Sequence, residues 1–221
     1  IVPTVIEWPN GRILVGEGAS HMKYQLKKGK NIWYSFKMEL GEDLGAKYYD
    51  SDLREVDPFR IKNPVDAARV FFAYLKYLII KYCTENNISI DILYAVSIPA
   101  SFEANQRKDL LDALMANDMK VSKQALIDEP NAAFISYAVS RAAEDRPMFI
   151  SPDYNSKVLV FDFGGGTCDI SILEIGQSAN GFFSKNIAIS KFTKLGGDDI
   201  DRYITYHYLM PRFLEANGKK K

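Results

Sequence analysis

Apolar residues recur along this chain in two periods, and the alternation between them sets the expected order of elements. Ile1 to Trp8 and Arg12 to Val15 are extended runs split by Pro9-Asn10-Gly11, a turn signal that predicts an opening β-hairpin. A polar, lysine-rich stretch covers Ser20 to Lys30. Asn31 to Leu40 is aromatic-rich around Lys37, and Gly41 to Arg60, with little periodicity, is expected to be surface structure. Asn63 reads as an N-cap with Pro64 in the first turn. Val65, Ala68, Phe72, Leu75, Ile79 and Tyr82 then keep a three-four spacing, the clearest helix in the chain, with an aromatic stripe that reads as core. Leu93 to Ile98 predicts a buried strand ended by Pro99, and Ser101 with Glu103 opens a helix carrying Leu110, Leu111, Leu114 and Met115.

Gln124 to Ile127 predicts a short strand closing on Asp128-Glu129, and Pro130 sits in the first turn of the next helix. That helix carries Ala132, Ala133, Ser136, Ala138 and Ser140. Small faces let another helix cross closely; helix propensity explains the alanines equally well, but not the serines. Residues 146–156, with two prolines, form the best linker. Val158 to Phe161 has no polar alternation, as expected of a strand buried on both faces, and Ile170, Ile172 and Ile175 mark its return. An extended run, Asn186 to Ser190, precedes Leu195-Gly196-Gly197-Asp198-Asp199, which leads into a helix from Ile200 to Leu214. Strand and helix alternate on both sides of the linker, the pattern of an α/β chain with two lobes.

Between the two glycine-loop strands lies Asp162-Phe-Gly164-Gly165-Gly166-Thr167-Cys-Asp169. Three glycines between strands are most often a plain hairpin turn, and an adjacent Asp often caps one. Acid, glycines, hydroxyl and second acid together in a buried setting favour phosphate binding. Without Cβ atoms the backbone can take positive φ, and its N–H groups can approach an anion. The geometry is strand, turn, strand, unlike Walker-type loops that open a helix.

Composition narrows the partners. Lys plus Arg equals Asp plus Glu at 28 each, so no net field draws the chain to nucleic acid or an anionic membrane. A 47% hydrophobic and 25% charged composition excludes a disordered tail. Cys83 and Cys168 lack metal-ligand spacing and suit a reducing, cytoplasmic compartment. The longest apolar run, Val70 to Ile80, is interrupted by Lys76 and is too short for a membrane span.

In order, Lys37, Val96-Ser-Ile-Pro99-Ala-Ser-Phe-Glu-Ala-Asn-Gln-Arg107, Ile127-Asp-Glu129-Pro130-Asn-Ala-Ala133, the glycine string and Leu195-Gly-Gly-Asp-Asp-Ile-Asp201 form a colinear series. The series resembles the nucleotide-binding domain of the seventy-kilodalton heat-shock chaperones, part of the actin-like ATPase (ribonuclease H-like) superfamily. The resemblance implies an α/β, two-lobed fold, incomplete in both lobes. Its first lobe would cover 1–145 (a peripheral subdomain 1–62 and a core subdomain 63–145), its linker 146–156 and its second lobe 157–221. It also implies ATP or ADP with Mg2+ as ligands. Gly164, Gly165, Gly166 and Thr167 match the loop that cradles the β- and γ-phosphates, with Gly196 and Gly197 also in the nucleotide-binding set. Asp162 matches an acid holding magnesium through water, Glu129 a carboxylate near metal and water, and Lys37 a lysine reaching the γ-phosphate and attacking water. Pro99 and Arg107 match a pair that relays nucleotide state, and the small-faced helix one of two crossing helices about which the lobes rotate.

Met38 and Glu39 follow Lys37 where the family is usually basic then apolar, Asp128 stands where asparagine is usual, and Asn131 replaces a threonine. These departures mark a divergent member. The first phosphate loop would precede Ile1, and the adenosine-binding segment and peptide-binding domain would follow Lys221, so the chain alone is expected to be inactive and Leu93 to Ile98 to lie beside an open sheet edge. The implied partners of the parent are unfolded peptide, a J-domain co-chaperone and a nucleotide-exchange factor. Two other functions stay open: a nucleotide-sensing module without effective hydrolysis, and a small-molecule kinase of the same superfamily.

Overall fold

The computed structural model describes residues 2–9, 12–20, 26–42, 60–144, 155–178, 181–190 and 195–219. The chain divides into two compact units, Ile1–Val96 with Phe102–Leu126, and Ser97–Ser101 with Ile127–Lys221. This division follows contacts. It assigns the helix after Glu129 to the same unit as the glycine-loop strands.

In the first unit β1 (Val5–Glu7) pairs antiparallel with β2 (Leu14–Val15), so the opening hairpin is present; the Asn10-Gly11 turn itself lies outside the described residues. After a helical turn, α1 (Glu17–Ser20), β3 (Ile32–Tyr34) pairs with the other edge of β1, giving the order β2-β1-β3. Ile6, Ile32 and Trp33 are fully buried. The segment 43–59, within the stretch expected at the surface, also lies outside the described residues. The long helix α2 (Pro64–Glu85) starts as its sequence predicts, with Asn63 Oδ1 accepting from the Asp66 N–H at 2.8 Å and Pro64 at the first position. Its buried side is Pro64, Ala67, Ala68, Val70 and Phe71, one residue round from the expected stripe, and Tyr82 is exposed. The reason is tertiary: the Phe71 ring meets Phe36 edge-on at 6.1 Å.

The helix α3 (Ala104–Met115) begins at Glu103, not Ser101. The Gln106 side chain accepts from the Glu103 N–H at 2.9 Å, half of a capping box. The next strands, β4 (Tyr94–Ile98) and β5 (Val121–Asp128), pair with each other, and among the described residues β4 has no second neighbour. The burial expected for Leu93 to Ile98 is confined to its end: Ala95 and Ser97 are exposed, and cover begins at Ile98-Pro99-Ala100.

In the second unit α4 (Glu129–Ala143) covers an antiparallel meander of β6 (Asn155–Phe163), β7 (Cys168–Ser178) and β8 (Gly181–Ile189). Phe134 packs with Leu173 and Ile175, and Ala138, Val158 and Val160 extend that core. The reverse face is open, with Leu159 63% and Phe161 60% exposed, so the expectation that β6 is covered on both faces is overturned. A run without polar residues sets strand propensity, but cover depends on what packs against it. Strand β6 starts at Asn155, so the expected linker reaches two residues too far. The last helix runs through α5 (Gly197–Ile204), a π turn at Thr205–Leu209 and α6 (Met210–Ala216). Pro211 explains the widened turn: it lacks an N–H, and its ring crowds the carbonyl four residues back.

Candidate functional site

Pairing of Phe163 with Cys168 leaves Gly164-Gly165-Gly166-Thr167 as a four-residue turn, closed by the Gly164 N–H donating to Thr167 O at 2.9 Å. A second glycine pair braces it. The Gly197 N–H donates to Gly164 O at 3.0 Å and the Asp198 N–H to Gly165 O at 2.8 Å. A Cβ on Gly196 would lie 2.5 Å from Gly165 C and O, whereas one on Gly165 would meet nothing within 4 Å. One side of the turn therefore rests on main chain and the other is open. The Gly196 N–H donates to Asp199 Oδ2 at 3.1 Å at the start of α5, and the Gly197 N–H holds the turn, so both N–H groups are engaged. Among the described glycines positive φ occurs at Gly16, Gly29, Gly41 and Gly218, not in the triple glycine. The expectation of positive φ in the triple glycine is thus corrected.

Asp162 and Asp169 stand directly opposite one another where β6 and β7 leave the turn. Asp162 is exposed; Asp169 is only 4% exposed and accepts a hydrogen bond from the Ser101 hydroxyl. Opposed strand residues have Cβ atoms about 4.5–5.5 Å apart, and like charges there repel. Among the described residues no group of three or more His, Cys, Asp and Glu could hold a metal ion.

Glu129 is the first residue of α4 and is partly buried. Beside it, Asp128 Oδ2 accepts from Asn186 Nδ2 at 2.8 Å, and Asn131 Oδ1 accepts from the Ser184 hydroxyl at 2.6 Å. Ser171 Oγ and Asn186 Oδ1 are buried without partners. Glu129, Asp162, the glycine turn and Gly196-Gly197 all belong to the second unit, and Lys37 to the first. Lys37 is exposed in a 3-10 turn, Phe36–Glu39, with Nζ 6.0 Å from the centre of the Phe102 ring. The acid after it is explained locally, because Glu39 is buried and its Oε1 meets Lys28 Nζ at 2.7 Å. The turn is tied to α3: the Gly41 N–H donates to Asp109 Oδ2 at 2.8 Å and Asn105 Nδ2 to Gly41 O at 2.6 Å. Arg107 Nε donates to Phe102 O at 2.9 Å, and Pro99 is fully buried. A cavity of about 670 Å3 in the first unit, between β2 and α2, is lined by Leu14, Val15, Val70, Tyr74 and Tyr77 among others with no charged side chain, so it does not suit a nucleotide.

A family model described as Hsp70 protein matches residues 1–220. The chain belongs to the Hsp70 family. Its fold is accordingly the α/β, actin-like ATPase type, and the mixed helix and sheet of this Hsp70 chain agree with it. Membership makes it a nucleotide-binding chaperone domain, with ATP and Mg2+ as the family's ligands and client peptide and co-chaperones as its partners. No helix among the described residues of this Hsp70 chain is long and apolar enough to cross a membrane. Three features escaped sequence reasoning: the burial of Asp169, its Ser101 partner, and the β8 contacts to Asp128 and Asn131. The first had a signal, since a period of two puts Asp169 on the face of Ser171, Leu173 and Ile175.

Proposed function

We propose that this chain forms part of the ATP-binding and ATP-hydrolysing domain of a heat-shock-type chaperone, in which lobe closure couples nucleotide state to the binding of unfolded peptide. The observation that carries this is the turn Gly164–Thr167, braced by main chain on one side, open at Gly165 on the other and flanked by opposed acids. An open face without Cβ atoms lets the β- and γ-phosphates come within hydrogen-bond reach of backbone N–H groups and the Thr167 hydroxyl. Asp162 would hold magnesium through water, with Glu129 near the same metal and its waters. Magnesium, when bound, neutralises charge on the phosphate oxygens. On the family resemblance, Lys37 stabilises charge at the γ-phosphate and orients water. The same reading draws the lobes at 1–145 and 157–221, makes α4 one of the helices about which they turn, and takes Pro99 and Arg107 as the relay. It places the parent in the cytoplasm with a J-domain partner and a nucleotide-exchange factor.

Gly196→Ala in the full-length protein tests the carrying observation, because its Cβ cannot fit beside Gly165 without moving the turn. Calorimetry with magnesium should show ATP affinity falling by at least about tenfold, or roughly 1.4 kcal/mol, with cooperative melting retained. Unchanged affinity would reject the turn as the nucleotide site. Asp128 in place of the usual asparagine favours a second reading, a nucleotide sensor. Binding without phosphate release would select it.

A further inference from the structure

Three contacts join β8 to the end of β5 and the first turns of α4 like rungs. Asn186 Nδ2 donates to Asp128 Oδ2 at 2.8 Å, the Ser184 hydroxyl donates to Asn131 Oδ1 at 2.6 Å, and the Phe182 ring stacks on Phe134 at 5.8 Å and 24°. Along β8 the partners step by two residues, the period of one strand face; along 128, 131 and 134 they step by three, close to one helical turn. A single contact would leave α4 free to roll about its axis. Two contacts on the helix, with a third on the residue that leads into it, fix its rotation and its height against the sheet. Glu129 lies between the first two rungs, and at 3.6 residues per turn it stands on roughly the opposite side of the helix from Asn131 and Phe134.

Both departures from the family pattern in this stretch, Asp128 and Asn131, accept side-chain hydrogen bonds from β8. The Asn186 amide has a defined sense: its Nδ2 faces the Asp128 carboxylate, and its Oδ1 is buried without a partner. A flipped amide would set oxygen against oxygen. We propose that Asn186 and Ser184 are positioning residues for Glu129, acting through Asp128 and Asn131 so that β8 sets where the carboxylate stands during ATP turnover. This rests on the role given to Glu129 above.

The test is an exchange of donor and acceptor in the full-length protein, followed by single-turnover ATP hydrolysis, ATP affinity and nucleotide-free melting. Asn186→Asp opposes two carboxylates and should slow turnover on the order of tenfold, with ATP affinity changed far less, because a small displacement of a reacting group costs rate before binding. Asp128→Asn with Asn186→Asp restores one donor and one acceptor, and should recover both turnover and melting temperature to near wild type. Normal turnover in Asn186→Asp, or a double variant as slow as the single, overturns the proposal. Should Asn186→Asp not fold, Ser184→Ala removes one rung without adding charge. It should lower turnover by a few-fold, and wild-type turnover there overturns the proposal. Glu129→Gln separates the two levels. Wild-type turnover in Glu129→Gln removes the underlying role, whereas slow Glu129→Gln beside normal β8 variants removes only the positioning.

Discussion

Glu7 in β1 of the first unit is 1% exposed and Asp169 in β7 of the second is 4% exposed, yet their surroundings are opposite. Both Glu7 oxygens are buried with no hydrogen-bond partner, among Val5, Ile32 and Tyr34 on one sheet face, and loss of hydration raises its pKa above the ordinary 4.5. Asp169 has the Ser101 hydroxyl on it, a second acid across the ladder and a braced glycine turn two residues away. Similar depth of burial therefore leaves the two acids in different surroundings: Glu7 has no hydrogen-bond partner, and Asp169 accepts from Ser101 beside a braced turn.

Replacing each acid by leucine should separate the two most sharply. Asp169→Leu should weaken magnesium-dependent ATP binding by the largest factor, on the order of 100-fold or roughly 2.7 kcal/mol, because it leaves Asp162 as the one acid of the pair. Glu7→Leu should leave that affinity unaltered, and equal losses in calorimetry would erase the contrast. A smaller effect is expected of Ser101→Ala, which strips the buried Asp169 of its donor: about 1.5–3 kcal/mol of stability in urea melts, the range for a hydrogen bond to a charged group.

Glu7→Leu should stabilise the protein by about 1–2 kcal/mol at pH 8, since an unsatisfied buried polar group is replaced by an apolar one. The gain has a pH sign. A carboxyl whose pKa is raised on folding binds its proton more tightly when folded, so its contribution is intact below the unfolded value and is lost as pH rises through the folded one. Melts of wild type and Glu7→Leu should converge on acidification toward 4.5 and diverge above it. Parallel curves would mean that Glu7 titrates alike in both states.

Local pattern made several elements readable. Asn63-Pro64 announced the start of α2, Pro9-Asn10-Gly11 the first hairpin, and Val158 to Ile175 a strand, glycine turn and returning strand; all follow from backbone constraints acting within a few residues. Of the pair Ser101 and Glu103 that opens α3, only Glu103 caps it. A serine two residues before a glutamate looks like a cap, but its hydroxyl goes to Asp169, 68 positions along the chain. Helix periodicity likewise located α2 but misplaced its buried side by a residue, because the Phe36 ring that selects Phe71 arrives from another element.

The order of residues was enough to specify the hairpin around Gly164, Gly165 and Gly166, the acids at its ends and membership of the Hsp70 family, since turn chemistry and motif spacing are written along the chain. Folding added the Gly196 brace, the cover over one face of β6 with the other bare, and the β8 rungs beside Glu129. Those depend on which distant segments come into contact, and short-range periodicity carries no record of such contacts.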